Sequence, residues 1–297
     1  MIFSKSISHT AAVLLALLVT FLWSTSFIII KWGLSEIPPL TYAGLRYILA
    51  FICLLPFALT KKYTAEIKSL KKNDWIKLIF LGILFYTFTQ GTQFLGLSLL
   101  PAVTVSLLLN FTPIVVAVMG IFLLSEKPSM LQWTGTTLFI VGILTYFYPV
   151  NLPADKMVGI GVMIIGVIAN ASSSVLGRSV NRSGKFSPLI VTVISMGVGS
   201  VIMLAAGLMI QGLPAISLKT FLLLLWLAVV NTAFAFTLWN LTLRNLTAME
   251  SSIINGTMLI QIAILAWVFI DEPIDIKEII GMLIAVVGAL FVQMKKK

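Results

Sequence analysis

The sequence predicts an all-α integral membrane protein whose ten transmembrane helices form two inverted repeats of five. Three observations predict it. Of 297 residues, 59% are hydrophobic and only 10% are charged. Soluble domains carry about 25% charged residues, and such a deficit cannot be hidden in a water-soluble core. Next, the second half of the chain restates the first at a shift of 146 residues. The run Leu123-Leu124-Ser125-Glu126-Lys127-Pro128 is answered by Phe269-Ile270-Asp271-Glu272-Pro273. Glu126 stands nine residues before Gly135, as Glu272 does before Gly281, while Gly142 matches Gly288 and Ala102 matches Ala248. No gap is needed from about Phe80/Trp226 onward. Finally, each half holds an odd number of apolar runs, so the halves lie upside down relative to one another. Inverted repeats are the architecture of secondary transporters, with the substrate site at the repeat interface.

The expected spans are residues 10–33, 40–59, 75–97, 102–124 and 131–148 in the first repeat. In the second they are 158–178, 188–210, 218–243, 248–270 and 279–294. Each has at least 16 residues, enough with its flanks for a hydrocarbon core of about 30 Å. The repeats divide as 1–150 and 151–297, joined by the segment 149–157. Turn residues punctuate the runs: Pro38-Pro39, Pro101, Pro128, Asn151-Leu152-Pro153, Gly184 with Pro188, Gly212 with Pro214, and Pro273. The first run starts near Thr10 behind Lys5 and lacks a convincing cleavage site, so it reads as a retained helix. The longest loop, 60–74, is Lys-rich and suits a surface helix.

Net charge is +10, yet the basic residues lie between apolar runs, which argues against a nucleic-acid partner. One side collects Lys5, the cluster Lys61, Lys62, Lys68, Lys71, Lys72 and Lys77, then Lys127, Arg178, Arg182, Lys185, Arg244 and the terminal lysines. The other has only Lys31, Lys156, Lys219 and Lys277, with most of the acids. The positive-inside rule then puts both termini of a multi-pass cell-membrane protein in the cytoplasm. Cys53 has no partner in the chain, so there is no disulfide framework. His9 is the only histidine, so no Cys/His cluster can hold a metal, and no cofactor is expected.

Particular residues carry a family resemblance. Trp23-Ser24-Thr25-Ser26-Phe27 with Lys31, and Arg46-Tyr47-Ile48-Leu49-Ala50, resemble the opening spans of EamA-type transporters in the drug/metabolite transporter superfamily. The pattern Pro113, Glu126, Pro128, Gly135 and Gly142 closes the first repeat as in that family, and Asp271-Glu272-Pro273 with Gly281 and Gly288 closes the second. The likeness runs along essentially the whole chain. It implies a ten-helix bundle around a central cavity lined by the first, third and fourth helices of each repeat, alternating access, and export of amino acids, other metabolites or drugs. Two positions depart from the pattern: Leu259 stands where the first repeat has Pro113, and Glu250 near the start of the ninth span.

Polar side chains inside spans are costly unless they face protein or water. Tyr86, Gln90 and Gln93 fall at helical spacing on one face of the third span, and the repeat maps them onto Thr232, Phe236 and Trp239. One wall is then amide and phenol, the other largely aromatic, which suits an amphipathic solute. Interhelical hydrogen bonding with ordinary aromatic packing is the alternative. Ser106 and Asn110 lie a turn apart in the fourth span, with Pro113 beyond, a hinge or a static kink. Trp23, Ser26, Asn170 and Asn255 are further lining candidates, although serines also serve close helix packing. Arg46, inside the second span, can attract a substrate carboxylate, hold a gate through carbonyls, or snorkel outward. Glu250 pairs with Arg244 or carries a proton. Glu126 and Glu272 read as corner pins that accept N–H groups of the following helix.

The leading functional reading is a secondary transporter exporting small organic metabolites, best amino acids or related zwitterions. No carboxylate sits deep in a span, which disfavours cationic drugs. Multidrug transport, or transport of sugars, nucleotides or lipid precursors, is the alternative. A membrane enzyme is more distant, because such sites need clustered Asp, His or Cys. The expected partners are a small-molecule substrate and the bilayer, with monomer and homodimer both open.

Overall fold

The computed structural model describes residues 8–112, 114–116, 118–119, 129–148, 154–182, 186–242, 246 and 254–293. Those residues form helices and connecting turns, with no strand among them. Among the described residues five helices are long and apolar enough to cross a membrane: His9–Gly33, Pro39–Ala58, Lys72–Leu99, Lys156–Gly177 and Pro188–Gln211. Shorter apolar helices cover Trp133–Phe147, Leu218–Phe234 and Ile254–Ile270.

In chain order the first repeat provides α1 (His9–Gly33), α2 (Pro39–Ala58), α3 (Lys61–Lys68), α4 (Lys72–Gly82), α5 (Gln90–Leu99), α6 (Ala102–Leu109) and α7 (Met130–Phe147). The second provides α8 (Ala154–Arg182), α9 (Pro188–Gln211), α10 (Leu218–Ala228), α11 (Ala235–Thr242), α12 (Met258–Ile270) and α13 (Ile276–Gln293). Helix α3 is the surface helix expected in the Lys-rich loop. The third and eighth spans are not uniform α-helix. Residues Ile83–Thr89 and Val229–Phe234 wind as π turns, the first joining α4 to α5, the second α10 to α11. Their starting residues are 146 apart, so the repeat places a π turn at the same point twice. Such turns are frequent at functional sites.

Two compact units emerge, and neither is a repeat. One comprises 1–28, 100–158 and 235–297; the other comprises 29–99 and 159–234. Each draws on both halves of the sequence.

Within the second of these units, α2 and α9 cross antiparallel. A Cβ on Gly44 would stand 2.5 Å from Leu204 Cα, and one on Gly207 would stand 2.6 Å from Thr41 N. At the crossing, a Cβ on Gly197 would meet the Phe51 ring at 2.8 Å. Phe51 and Gly197 are themselves related by the 146-residue shift, so the crossing lies on the pseudo-twofold axis of the inversion. The ends of this pair are closed by one device in two chemistries. The Gln211 side-chain oxygen accepts the N–H groups of Leu40 (2.8 Å) and Thr41 (3.3 Å), and Thr41 Oγ1 donates to the Gly212 carbonyl at 2.9 Å. At the repeat-related corner, Ser187 N–H donates to the Glu66 carboxylate at 2.5 Å. Ser187 corresponds to Thr41, and Glu66 to Gly212. Both satisfy donors left open at a helix start.

A second carboxylate closes the start of α10. Glu36, between α1 and α2, accepts Ser217 N–H at 2.9 Å and Ser217 Oγ at 2.8 Å, while Ser217 Oγ accepts Thr220 N–H at 3.2 Å. The Ser217 backbone donor, then its hydroxyl, hold the Glu36 carboxyl below the ordinary glutamate range. A depressed folded-state pKa stabilises the protein above the ordinary carboxylate pKa, and that contribution fades as pH falls through the lowered value. Glu36→Gln should therefore narrow the difference in melting temperature between neutral and acidic buffer. An unchanged difference would remove this contact from the acid response.

In the first unit, α7 and α13 pack backbone to backbone. A Cβ on Gly142 would lie 2.7 Å from the Gly281 carbonyl oxygen, and the converse distance is also 2.7 Å. A Cβ on Gly288 would lie 2.7 Å from the Gly135 carbonyl. The repeat shift exchanges these two contacts. The paired glycines of the two repeat endings thus serve the approach of the fifth span to the tenth.

Candidate functional site

The unit built from residues 29–99 and 159–234 holds a buried cationic group. Arg46 on α2 is only 3% exposed. Its Nε donates to Thr232 Oγ1 at 2.9 Å, and its guanidinium carbon stands 5.3 Å from the Tyr47 ring centroid and 6.0 Å from that of Phe94. Arg46 therefore does not snorkel to the surface; that reading is corrected by its packing. Cation–π contacts worth about 0.5–2 kcal/mol each and the hydroxyl help offset a burial cost of about 2.5–3.5 kcal/mol at a span centre.

The π turns position this group. Thr232 sits in the second of them, and its hydroxyl donates five residues back, to the Leu227 carbonyl, at 2.8 Å. That leaves the Thr232 oxygen lone pairs for Arg46. Thr89, in the first π turn, repeats the five-residue return onto Leu84 at 2.9 Å. Tyr86 lies in the same turn and meets Tyr47 edge-on at 5.4 Å. Tyr47 OH donates to Gln90 Oε1 at 2.5 Å. Arg46, Tyr86, Gln90 and Thr232, drawn from three spans, are thus joined through Tyr47. Gln93 is half-buried on α5. Asn170, also in this unit, is half-buried and accepts the Ser173 and Ser174 hydroxyls on its carbonyl, both at 2.8 Å.

The other unit holds an aromatic group. The Trp23 ring lies 5.2 Å from that of Phe236 and 5.2 Å from that of Trp239, tilted by 53° and 52°. Of the residues expected on one wall, Thr232 meets Arg46, and Phe236 and Trp239 meet Trp23. Trp23 Nε1 is buried and has no hydrogen-bond partner among the described residues. Buried N–H groups almost always have one, and leaving a buried donor unmade costs about 1–3 kcal/mol. Trp23→Phe keeps the ring and removes the donor. It should raise thermal stability by a few degrees while lowering transport, the pattern of a donor retained for function. Loss of stability and transport together would make Trp23 a packing residue only.

Other candidates in this unit have local roles. Ser24 Oγ lies 2.8 Å from the Thr20 carbonyl and 2.9 Å from Gln261 Oε1, and Gln261 Nε2 donates to Thr257 Oγ1 at 2.9 Å, tying α1 to α12. Ser26 is buried, with Oγ 3.4 Å from the Leu22 carbonyl. Ser106 is buried, and Asn110 Nδ2 donates to its carbonyl at 2.8 Å. Helix α6 ends at Leu109, one turn ahead of Pro113. Asn255 is exposed. Both Glu272 carboxylate oxygens accept the Ala102 N–H, at 3.0 and 2.9 Å. The helix start expected at this corner was that of the following span; the N–H pinned here opens α6, in the other repeat. Pro113, Glu126 and Glu250 lie outside the described residues. Sequence reasoning gave no role to Tyr47 or Phe94; the Arg46-Tyr47 pair was the available signal.

The chain matches one protein family twice, over residues 10–148 and 157–294. It belongs to the EamA-like transporter family. Membership makes it an integral membrane protein whose two EamA repeats carry the helices described above. An archaeal EamA-like relative, "Uncharacterized transporter" of Archaeoglobus fulgidus, is 25% identical over 291 residues, 95% of this chain and 97% of its own. The "Probable amino-acid metabolite efflux pump" of Escherichia coli is 28% identical over 240 residues, 76% of this chain and 75% of its own. A solved crystal structure shares the fold with TM-score 0.69 at 15% identity, covering 96% of this EamA-like chain and 98% of the other.

Proposed function

We propose that this EamA-like protein is a secondary transporter exporting carboxylate-bearing metabolites, amino acids or related zwitterions, by alternating access. Arg46 carries the reading. A permanent positive charge, buried inside a span and oriented by a π-turn hydroxyl and aromatic faces, suits a carboxylate. It is wasteful as packing. Guanidinium forks match carboxylates geometrically, which a point-charge ammonium does not. A relative named as an amino-acid metabolite efflux pump supports the same class. Among the described residues no carboxylate lies in mid-span, so a cationic drug has no counter-charge. Both termini are assigned to the cytoplasm on the lysine asymmetry. The reading assigns no catalytic chemistry, cofactor or nucleic-acid partner, and it needs no second subunit.

The test is counterflow in proteoliposomes with pooled labelled amino acids and a set of cationic aromatic drugs, with and without a pH gradient. Uptake from an amino-acid pool is expected. Uptake of cationic drugs alone would overturn the proposal. Stimulation by a proton gradient would direct attention to Glu250.

A further inference from the structure

We infer that the corner formed by α3 and the start of α4 is a binding surface for anionic lipid headgroups. Six lysines stand there within 17 residues: Lys61, Lys62, Lys68, Lys71, Lys72 and Lys77, all exposed. The segment's two carboxylates are engaged with backbone. Glu66 accepts Ser187 N–H at 2.5 Å, and Asp74 accepts Lys71 N–H at 2.9 Å. Among the described residues none of the six lysines has an ion-pair partner. Six exposed lysines thus stand together with their local acids occupied, Lys62 with its Nζ 5.3 Å from the Tyr63 ring centroid.

The surroundings favour a lipid over another polyanion. Helix α3 follows a membrane span directly, and exposed Phe57 and Leu59 precede it. Exposed Trp75, Ile76, Ile79 and Phe80 follow on α4. Charge and lipid-facing apolar surface therefore meet within two turns, with Trp75 at the boundary, the level at which tryptophan sits in bilayers. The bond from Ser187 to Glu66 fixes α3 against the start of α9, so the lysines are presented on an anchored element. The occupant with matching chemistry has a phosphodiester anion at headgroup depth and acyl chains below it, as in phosphatidylglycerol.

The experiment follows thermal unfolding of the full chain in neutral detergent during titration with phosphatidylglycerol, phosphatidylcholine or inorganic phosphate. Phosphatidylglycerol should protect at low salt, and the protection should vanish near 1 M salt, where the Debye length is about 3 Å. Each lysine near an anionic surface contributes about fivefold. Lys61→Gln, Lys62→Gln and Lys68→Gln together should therefore weaken apparent lipid affinity at least about tenfold, and the same three changed to Arg should preserve it. Lys31→Gln, Lys219→Gln and Lys277→Gln, on the other side, should leave it unchanged. Equal protection by phosphatidylcholine or by inorganic phosphate would overturn the inference. So would protection indifferent to salt on the unaltered chain, a result that does not depend on any variant folding.

Discussion

Gly281→Ala is expected to lower the melting temperature sharply, and Gly281→Leu to abolish recovery of monodisperse protein. The added Cβ would stand 2.7 Å from the Gly142 carbonyl oxygen and 2.6 Å from Tyr146 N, both backbone atoms that no rotamer change can move aside. Overpacking typically costs about 1–3 kcal/mol, and a backbone-to-backbone contact has less room to relax than a side-chain one. The glycine tolerates no substitute because α7 and α13 approach here without side chains between them. Gly161 is the internal control. A Cβ there meets nothing within 4 Å, so Gly161→Ala should be neutral or stabilising by about 0.5–1 kcal/mol, the ordinary helical preference. Thermal unfolding followed by size-exclusion chromatography separates the two. Equal melting temperatures for Gly281→Ala and Gly161→Ala would mean that the helices do not approach as described.

Arg46→Met should leave the protein folded while raising the half-saturation concentration for a carboxylate-bearing substrate by about 10- to 150-fold, the range for a charge-assisted hydrogen bond. Methionine fills comparable space and keeps contact with the Tyr47 and Phe94 rings, so stability should hold. Arg46→Lys should not restore transport, because an ammonium lacks the planar stacking surface and the fork. Counterflow kinetics on both variants, with melting temperatures alongside, decide the matter. Unchanged half-saturation in Arg46→Met, with folded protein, would make Arg46 a structural residue and withdraw the carboxylate assignment.

The large-scale fold was legible because its causes are local and repeated. Apolar runs bounded by proline and glycine gave the spans. The side-chain network was not legible, because it depends on long-range placement. Nothing in Ile83–Thr89 or Val229–Phe234 marks a π turn; the first is a largely apolar run with two threonines, the second one with a threonine beside Asn231. Yet that winding sets Thr232 against Arg46 and Tyr86 against Tyr47. The Glu272 pin was half legible: an acid at a Pro-containing corner suggested an N–H acceptor, but only tertiary structure shows that the N–H belongs to Ala102. Which partners Thr232, Phe236 and Trp239 meet was not legible for a related reason. The repeat shift preserves sequence register, whereas the boundary between the compact units falls just after the second π turn.

The corners at Thr41 and Ser187 differ in chemistry although the fold makes them counterparts. Strict inverted symmetry would give any conformation and its inverted partner the same free energy, leaving no preference between them at equilibrium. Here one corner is closed by a neutral amide and the other by a carboxylate. Only the second sets a formal charge against the N–H that it holds. Divergence after duplication has therefore lifted a degeneracy without altering the backbone plan: opening one corner need not cost the same as opening its counterpart.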